Sequence, residues 1–258
     1  MFVFPHLFAE VMQEYMTTYG VTERELASIA VQEYASAQHN PFAQMRNVHL
    51  TIEQALAIDG PNRCIVDGLP LKTFGCSQIS DGYAGMILAT AKGLERLGIK
   101  KGDCVEVAGY GQATDPLKKK GRDVLRPKGA YAAMHRAYDM AGLRPADVNV
   151  AEVHDCFTIM AALATEVIGK AGYGEGARYW VDGKAAPSGE CGINTSGGLI
   201  AKGHPVGATG VAMIGWTAWQ LLGRVPKELQ VTSARAAATF NIGGPICASV
   251  CTVLKPAV

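Results

Sequence analysis

The chain has 258 residues, with 24 Lys or Arg against 23 Asp or Glu and a formal net charge of +1. That length suits one large domain, or one domain with an appendage, and can bury a sizeable core; a charge this near zero excludes the footprint of a nucleic-acid surface or of a strongly acidic partner. The cysteines number seven, an odd count, with no Cys-x-x-Cys or His-x-x-x-His pair, which argues against a disulfide framework and against a metal site and points to a reducing, cytoplasmic setting.

In chain order, Met1 to Ala9 is apolar but lacks a basic start and a small-residue cleavage site, so no secretory signal is expected. No apolar run anywhere reaches the roughly 18 residues of a membrane span. Leu7 to Tyr19 is the first predicted helix: Leu7, Phe8, Val11, Met12 and Met16 recur near a 3.6-residue period, and Gly20 is placed to end it. Thr22-Glu23-Arg24-Glu25 is a capping-box pattern opening a second helix that runs to about Gln38. Residues 39–80, rich in Pro, Asn, Gly and Asp, are expected to form an irregular covering layer. Cys76 lies ahead of the next predicted helix, but the gap before Asp81 makes it a structural cysteine rather than a helix-activated nucleophile.

The composition changes near Asp81. Asp81 to Leu97 reads as a helix ended by Gly98, Cys104 to Tyr110 as a strand, and Gly129 to Ala141 as a helix stopped by Gly142. Between them, Lys118-Lys119-Lys120 with Arg122 reads as a solvated basic loop, with a phosphate clamp as the alternative. Asn149 to Val153 is a short strand running into His154, and Thr158 is expected to cap a helix through Ile168. Thr209 to Leu222 is a further helix, and Ala236 to Phe240 and Ile246 to Leu254 are two strands joined by a Gly243-Gly244 turn. The alternation implies an α/β fold: a partly parallel sheet with helices on both faces and an antiparallel pair at its end.

Chemistry concentrates in three segments. His154-Asp155-Cys156-Phe157 follows a strand, where α/β folds present residues to a ligand crevice. It fits either a core cysteine beside a backbone-bonded histidine, or an oxyanion donor (His154) beside a thiol that moves protons once a neighbour lowers its pKa (Cys156). Asn194-Thr195-Ser196-Gly197-Gly198, then Gly203-His204-Pro205-Val206-Gly207-Ala208-Thr209-Gly210, sets a histidine on a glycine-rich turn ahead of a helix N-terminus, which favours anionic species. Asn241-Ile242-Gly243-Gly244 is either a hairpin turn or a backbone donor to a developing oxyanion.

Taken in order, these three motifs resemble the thiolase superfamily, specifically the sterol carrier protein type, and the resemblance covers nearly the whole chain. Residues 1–74 resemble the family's helical and irregular loop domain, including the Asn40-Pro41-Phe42-Ala43 turn. Residues 75–258 resemble its C-terminal α/β domain, which implies a mixed, mostly parallel five-stranded sheet with helices on both faces. The resemblance implies that His204 activates a nucleophilic thiol and, with His154, holds the oxyanion of a thioester. It implies that Cys156 is the acid/base at the substrate α-carbon, in place of a family cysteine where this chain has Asn241. Gly243 and Gly244 fall by a second oxyanion site, and Ser196, Gly197 and Gly198 along an acyl-CoA tunnel. No metal and no tightly bound cofactor is implied, coenzyme A arriving as part of the substrate.

The family's nucleophilic cysteine belongs to an N-terminal domain whose pattern this sequence does not contain, and residues 1–60 hold no cysteine. The expectation is therefore a thiolase-like acyltransferase of 3-ketoacyl-CoA, corresponding to a C-terminal portion or subunit. Either a homo-oligomer or a second subunit supplying the N-terminal half is expected, with apolar surface exposed where that half would pack. The alternatives are a lyase of β-hydroxyacyl-CoA, which needs no acyl-enzyme, a non-catalytic acyl-CoA or lipid binder, and an accessory subunit.

Overall fold

The computed structural model describes residues 3–118 and 121–257. Helix α1 (Val3–Tyr19) buries Phe8, Val11, Met12 and Tyr15, one stripe at i, i+3, i+4, i+7. Helix α2 (Glu23–His39) opens on the expected capping box, with Thr22 accepting from Glu25 N–H while the Glu25 carboxylate accepts from Thr22 N–H. Leu26 and Ile29 of α2 join the α1 stripe in the main core, where each large apolar side chain is worth roughly 1.5–3 kcal/mol of burial. The covering segment that follows contains a short α-helix, α3 (Ile52–Leu56), and a 3-10 turn at Thr73–Gly75.

Helix α4 (Ala91–Leu97) is the helical remnant of the segment predicted as Asp81 to Leu97, and 81–90 has no regular structure. Gly82 and Gly85 each disfavour helix by about 1 kcal/mol, and the large side chains beside them are bare: Tyr83 is 100% and Ile87 90% exposed. Helix formation waits for Thr90, whose hydroxyl accepts from Gly93 N–H.

The sheet has five strands: β1 (Val105–Thr114), β2 (Val150–Val153), β3 (Gly192–Ile193), β4 (Ala237–Gly243) and β5 (Ala248–Pro256), in the order β1-β5-β4-β2-β3. It is mixed: β3-β2 and β2-β4 pair in parallel, and β4-β5 and β5-β1 antiparallel. Helix α5 (Lys128–Ala141) lies against β1 so closely that a Cβ on Gly111 would fall 1.9 Å from the Ala133 carbonyl oxygen. Cys251, Phe240 and Val153 continue that face into the main core with α1, α2, α5 and helix α6 (Thr158–Val167). Thr158 is the first residue of α6 rather than its cap; the N-cap is Phe157, whose ring packs on Phe8 at 4.8 Å between centroids. A short helix α7 (Gly176–Val181) follows. The opposite face is covered by α8 (Thr209–Leu221), whose Ile214 and Leu221 pack on Val150, Ala237 and Leu254.

Helices therefore lie on both faces of the sheet, but α8 does not reach its edge: Tyr110 of β1 is 62% exposed on that side. Among the described residues no helix is long and apolar enough to cross a membrane.

Candidate functional site

His154 stands where β2 ends. Its backbone N–H donates to Phe240 O at 2.8 Å, extending the parallel ladder by one bond, and strand alternation turns its side chain to the α8 face, where Asn241 of β4 also lies. The Nδ1 of His154 is hydrogen-bonded to Oδ1 of Asn241. Burial and the neighbouring His204 push the His154 pKa down to about 4 against the opposing pull of Asn241, so the ring is neutral at pH 7. With an amide oxygen facing Nδ1, that nitrogen carries the proton and Nε2 offers a lone pair. Turning the Asn241 amide over would exchange the two.

His204 comes from the other side of the crevice. Gly198–Lys202 forms one wide π-helical turn, and Gly203, at φ +115°, delivers His204 beside His154. The two rings meet edge to face, 4.9 Å between centroids at 84°. His204 Nδ1 lies 2.7 Å from Thr209 Oγ1, and the Thr209 hydroxyl donates its single proton to Pro205 O at 3.0 Å. The hydroxyl must then accept from His204, which places the imidazole proton on Nδ1 and leaves Nε2 as a base. Burial first, then Lys202, lowers the His204 pKa, so this base is also neutral and ready at pH 7.

Cys156 is buried in the main core, and its carbonyl accepts from Ser77 N–H at 2.8 Å. Burial, Asp155 and Cys76 raise its thiol pKa well above the ordinary value. That is opposite to the activated thiolate the sequence suggested; the group is an acid holding its proton. Cys76 is also held up, to about 12, by burial, as befits a structural cysteine.

Asn241 and Gly243 line a cleft of about 450 Å³ between α8 and β4–β5, with Gly210, Met213, Thr239 and Val250 among its walls. Gly244 makes the tight turn, its carbonyl accepting from Ile246 N–H at 2.9 Å. Ser196, by contrast, is fully buried: Glu152 accepts both its N–H (3.1 Å) and its hydroxyl (2.6 Å), and its carbonyl accepts from Asn40. Gly197 and Gly198 face packed groups as well, since a Cβ on Gly197 would lie 2.9 Å from Ala37 Cβ and one on Gly198 2.3 Å from Asp155 Oδ2. These three hold up the His204 turn from behind. Arg122 donates to Pro245 O and Ile246 O and fastens the Gly244 turn, while Lys119 and Lys120 of the same basic run lie outside the described residues.

Sequence reasoning missed Thr209 as the group that orients His204, and missed the buried carboxylates Glu33 and Glu152. A signal existed for each. Thr209 is five residues after His204 at a helix start, and Glu152 interrupts an otherwise apolar strand. Glu33 sits among Ala30, Tyr34 and Ala37, on the stripe where an acid survives only with partners.

Residues 111–256 match a protein-family model described as thiolase C-terminal domain-like. The chain is 38% identical over 241 residues to an acetyl-CoA acetyltransferase of Methanothermobacter thermautotrophicus, covering 93% of this chain and 60% of that protein. It is 33% identical over 245 residues to sterol carrier protein 2 of Bos taurus, covering 93% of this chain and 44% of that protein. Among solved structures, one described as an Ltp2-ChsH2(DUF35) aldolase superposes with a TM-score of 0.79 at 19% identity, over 98% of this chain and 63% of that one, which is a likeness of fold. The chain thus spans at most about 60% of the length of these two sequence relatives.

Proposed function

The chain belongs to the thiolase C-terminal domain-like family, and from that premise we propose that it makes or breaks carbon–carbon bonds of 3-ketoacyl-CoA thioesters as the C-terminal portion or subunit of an acyltransferase. The observation that carries the reading is the pair of neutral imidazoles meeting at 4.9 Å, with Thr209 holding Nε2 of His204 unprotonated. In this reading His204 Nε2 takes the proton of a thiol supplied by a partner polypeptide. The thiolate adds to the 3-keto carbon, the bond to the α-carbon breaks, and the resulting acetyl-CoA enolate takes a proton from Cys156. His154 stabilises the thioester oxygen once its Nε2 carries the proton, which requires the Asn241 amide to turn over from the orientation in which Oδ1 faces Nδ1. Gly243 and the cleft beside Asn241 receive the acyl group, and coenzyme A enters as part of the substrate.

The partner is proposed on the bare apolar surface beside the site. Ile79, which bridges to His204, is 95% and Val206 81% exposed, and Tyr83, Ile87 and Leu88 are exposed as well. A second subunit, or a further copy of the chain, would cover this face.

One observation favours a second reading. The base is complete within this chain, whereas its buried thiols are held protonated, with Cys191 and Cys251 both pushed up to about 12. A retro-aldol cleavage of β-hydroxyacyl-CoA needs only such a base: His204 Nε2 takes the hydroxyl proton, the carbon–carbon bond breaks, and a carbonyl product and an enolate result. The aldolase of similar fold fits this reading.

Intact-mass analysis after incubation with acetoacetyl-CoA, of the chain alone and with co-purifying proteins, tests both. An acyl adduct on a co-purifying polypeptide supports the subunit reading. An adduct on this chain refutes the need for a partner thiol. Turnover of a β-hydroxyacyl-CoA without any adduct establishes the lyase. Cys156→Ala and His204→Ala separate all of these from a passive binder, which would retain its affinity for acyl-CoA in both variants.

A further inference from the structure

Behind the two histidines lies a set of acids that the proposed chemistry does not use. Glu33 of α2 is fully buried; its Oε1 accepts from Asn194 Nδ2 at 2.9 Å, and its Oε2 has no hydrogen-bond partner among the described residues. Asp155, also fully buried, accepts from Leu199 N–H with both oxygens at 2.8 Å and from Ile200 N–H at 3.1 Å. The two carboxyls flank Gly198: a Cβ there would lie 2.3 Å from Asp155 Oδ2 and 2.6 Å from Glu33 Oε1. Only a residue without a side chain, in the left-handed region at φ +59°, allows both to close on that point.

The charges of this pocket do not balance if every acid is ionised. Glu33 from α2, Asp155 after β2 and Glu152 within β2 face one cation, Lys202, whose Nζ is 3.7 Å from Glu152 Oε2. Two carboxylates that close on one point beside Gly198 in a dry site cannot both stay ionised. Both oxygens of Asp155 already accept from backbone N–H groups, whereas Glu33 has an oxygen with nothing to do. The proton therefore belongs on Glu33.

We propose that Glu33 is a neutral carboxylic acid sharing its proton with Asp155, and that this pair positions both histidines of the site. Asp155 is the immediate neighbour of His154, and the N–H groups it binds begin the π-helical turn that ends at Gly203-His204. One carboxylate thus locks both segments to each other, and Glu33 supplies the proton that keeps that carboxylate from being repelled. Burial and Asp155 both raise the Glu33 pKa well above the carboxylate range, in agreement with the geometry. Glu33 and Asp155 act through the histidines and are positioning residues; the assignment rests on the reading of His154 and His204 as the site.

The test needs no substrate, so it stands apart from whether the CoA chemistry occurs. Infrared difference spectra at pH 7.5 should show a protonated-carboxyl C=O band that Glu33→Gln abolishes and Glu166→Gln, a second raised acid elsewhere, does not. In Glu33→Gln the amide donates to Asp155 and accepts from Asn194, so the ¹⁵N imidazole signals of His154 and His204 should stay where they are in the wild type. In Glu33→Leu, of similar size but with no proton to share, they should move. A wild-type spectrum without a band assignable to Glu33, or imidazole signals displaced as far by glutamine as by leucine, would overturn the proposal. Should the leucine variant fail to fold, the infrared band decides alone.

Discussion

Replacing Thr209 by valine removes the hydroxyl from the site and leaves its shape. Thr209 is 3% exposed, and its hydroxyl accepts from His204 Nδ1–H while donating to Pro205 O. Each bond is worth about 0.5–1.5 kcal/mol net. His204 and Pro205 are only partly buried, so water reaches the vacated groups and the lower half of that range applies. The expected stability loss is about 1–2 kcal/mol, a fall in Tm of roughly 2–8 °C for a chain of this size. The larger consequence is for the tautomer. Losing an acceptor worth about 1 kcal/mol moves the ratio of Nδ1–H to Nε2–H by about fivefold, which takes the lone pair from Nε2 in a corresponding share of molecules. Long-range ¹H–¹⁵N spectra of the imidazoles, assigned through His154→Gln, measure the ratio directly. Wild-type protein should show His204 with its proton on Nδ1 and the valine variant a mixture. An Nε2–H tautomer in the wild type, or an unchanged ratio in the variant, would refute the hydrogen-bond argument and with it the assignment of His204 as the base.

Glu166 tests the electrostatics of the core. Tyr15 OH, Gly174 N–H and Gly176 N–H all donate to it, yet burial outweighs them and lifts its pKa from 4.5 to about 7. The folded state then holds a proton that the unfolded chain releases, so stability is highest at low pH and falls as pH rises from about 4.5 to 7, by at most about 3 kcal/mol. Denaturant midpoints of the wild type against Glu166→Gln should converge toward pH 4 and diverge by pH 8; parallel profiles would show that the carboxyl titrates normally. Gly111→Ala should cost more than about 3 kcal/mol, because the Ala133 carbonyl that its methyl would meet at 1.9 Å is helix backbone and cannot swing aside; a soluble variant within about 1 kcal/mol of wild type in urea unfolding would contradict the helix placement. Ile87→Lys with Leu88→Lys removes two exposed side chains that contact nothing essential to the core, so Tm should change by less than about 2 °C while binding of a hydrophobic dye and co-purification of a partner both fall. A large drop in Tm would mean that the segment packs inward.

The helices with strong local patterns are legible in the sequence alone. The capping box at Thr22, the Phe8, Val11 and Met12 positions of the first stripe and the stops at Gly20 and Gly142 are events within a few residues of chain, decided by local hydrogen bonds and periodicity, whereas the structure buries Tyr15 and leaves Leu7 and Met16 half-buried. Asp81 to Thr90 defeats the same reasoning because an apolar run becomes regular structure only when a surface receives it, and among the described residues Tyr83, Ile87 and Leu88 stay exposed. The identity of His154, Cys156, His204 and Asn241 is likewise readable, since each sits in a motif a few residues long. Their states are not. Which nitrogen of His204 carries a proton depends on Thr209 and Pro205. The tautomer of His154 depends on Asn241, a full 87 residues away. The protonation of Cys156 follows from burial in the main core, with Asp155 and Cys76 beside it, and the packing of Gly197 and Gly198 follows from Ala37 and Glu33 of α2 lying against them. A sequence lists which groups can hydrogen-bond or ionise; their pKa values and tautomers are set by desolvation and by neighbours that only folding brings within about 3 Å.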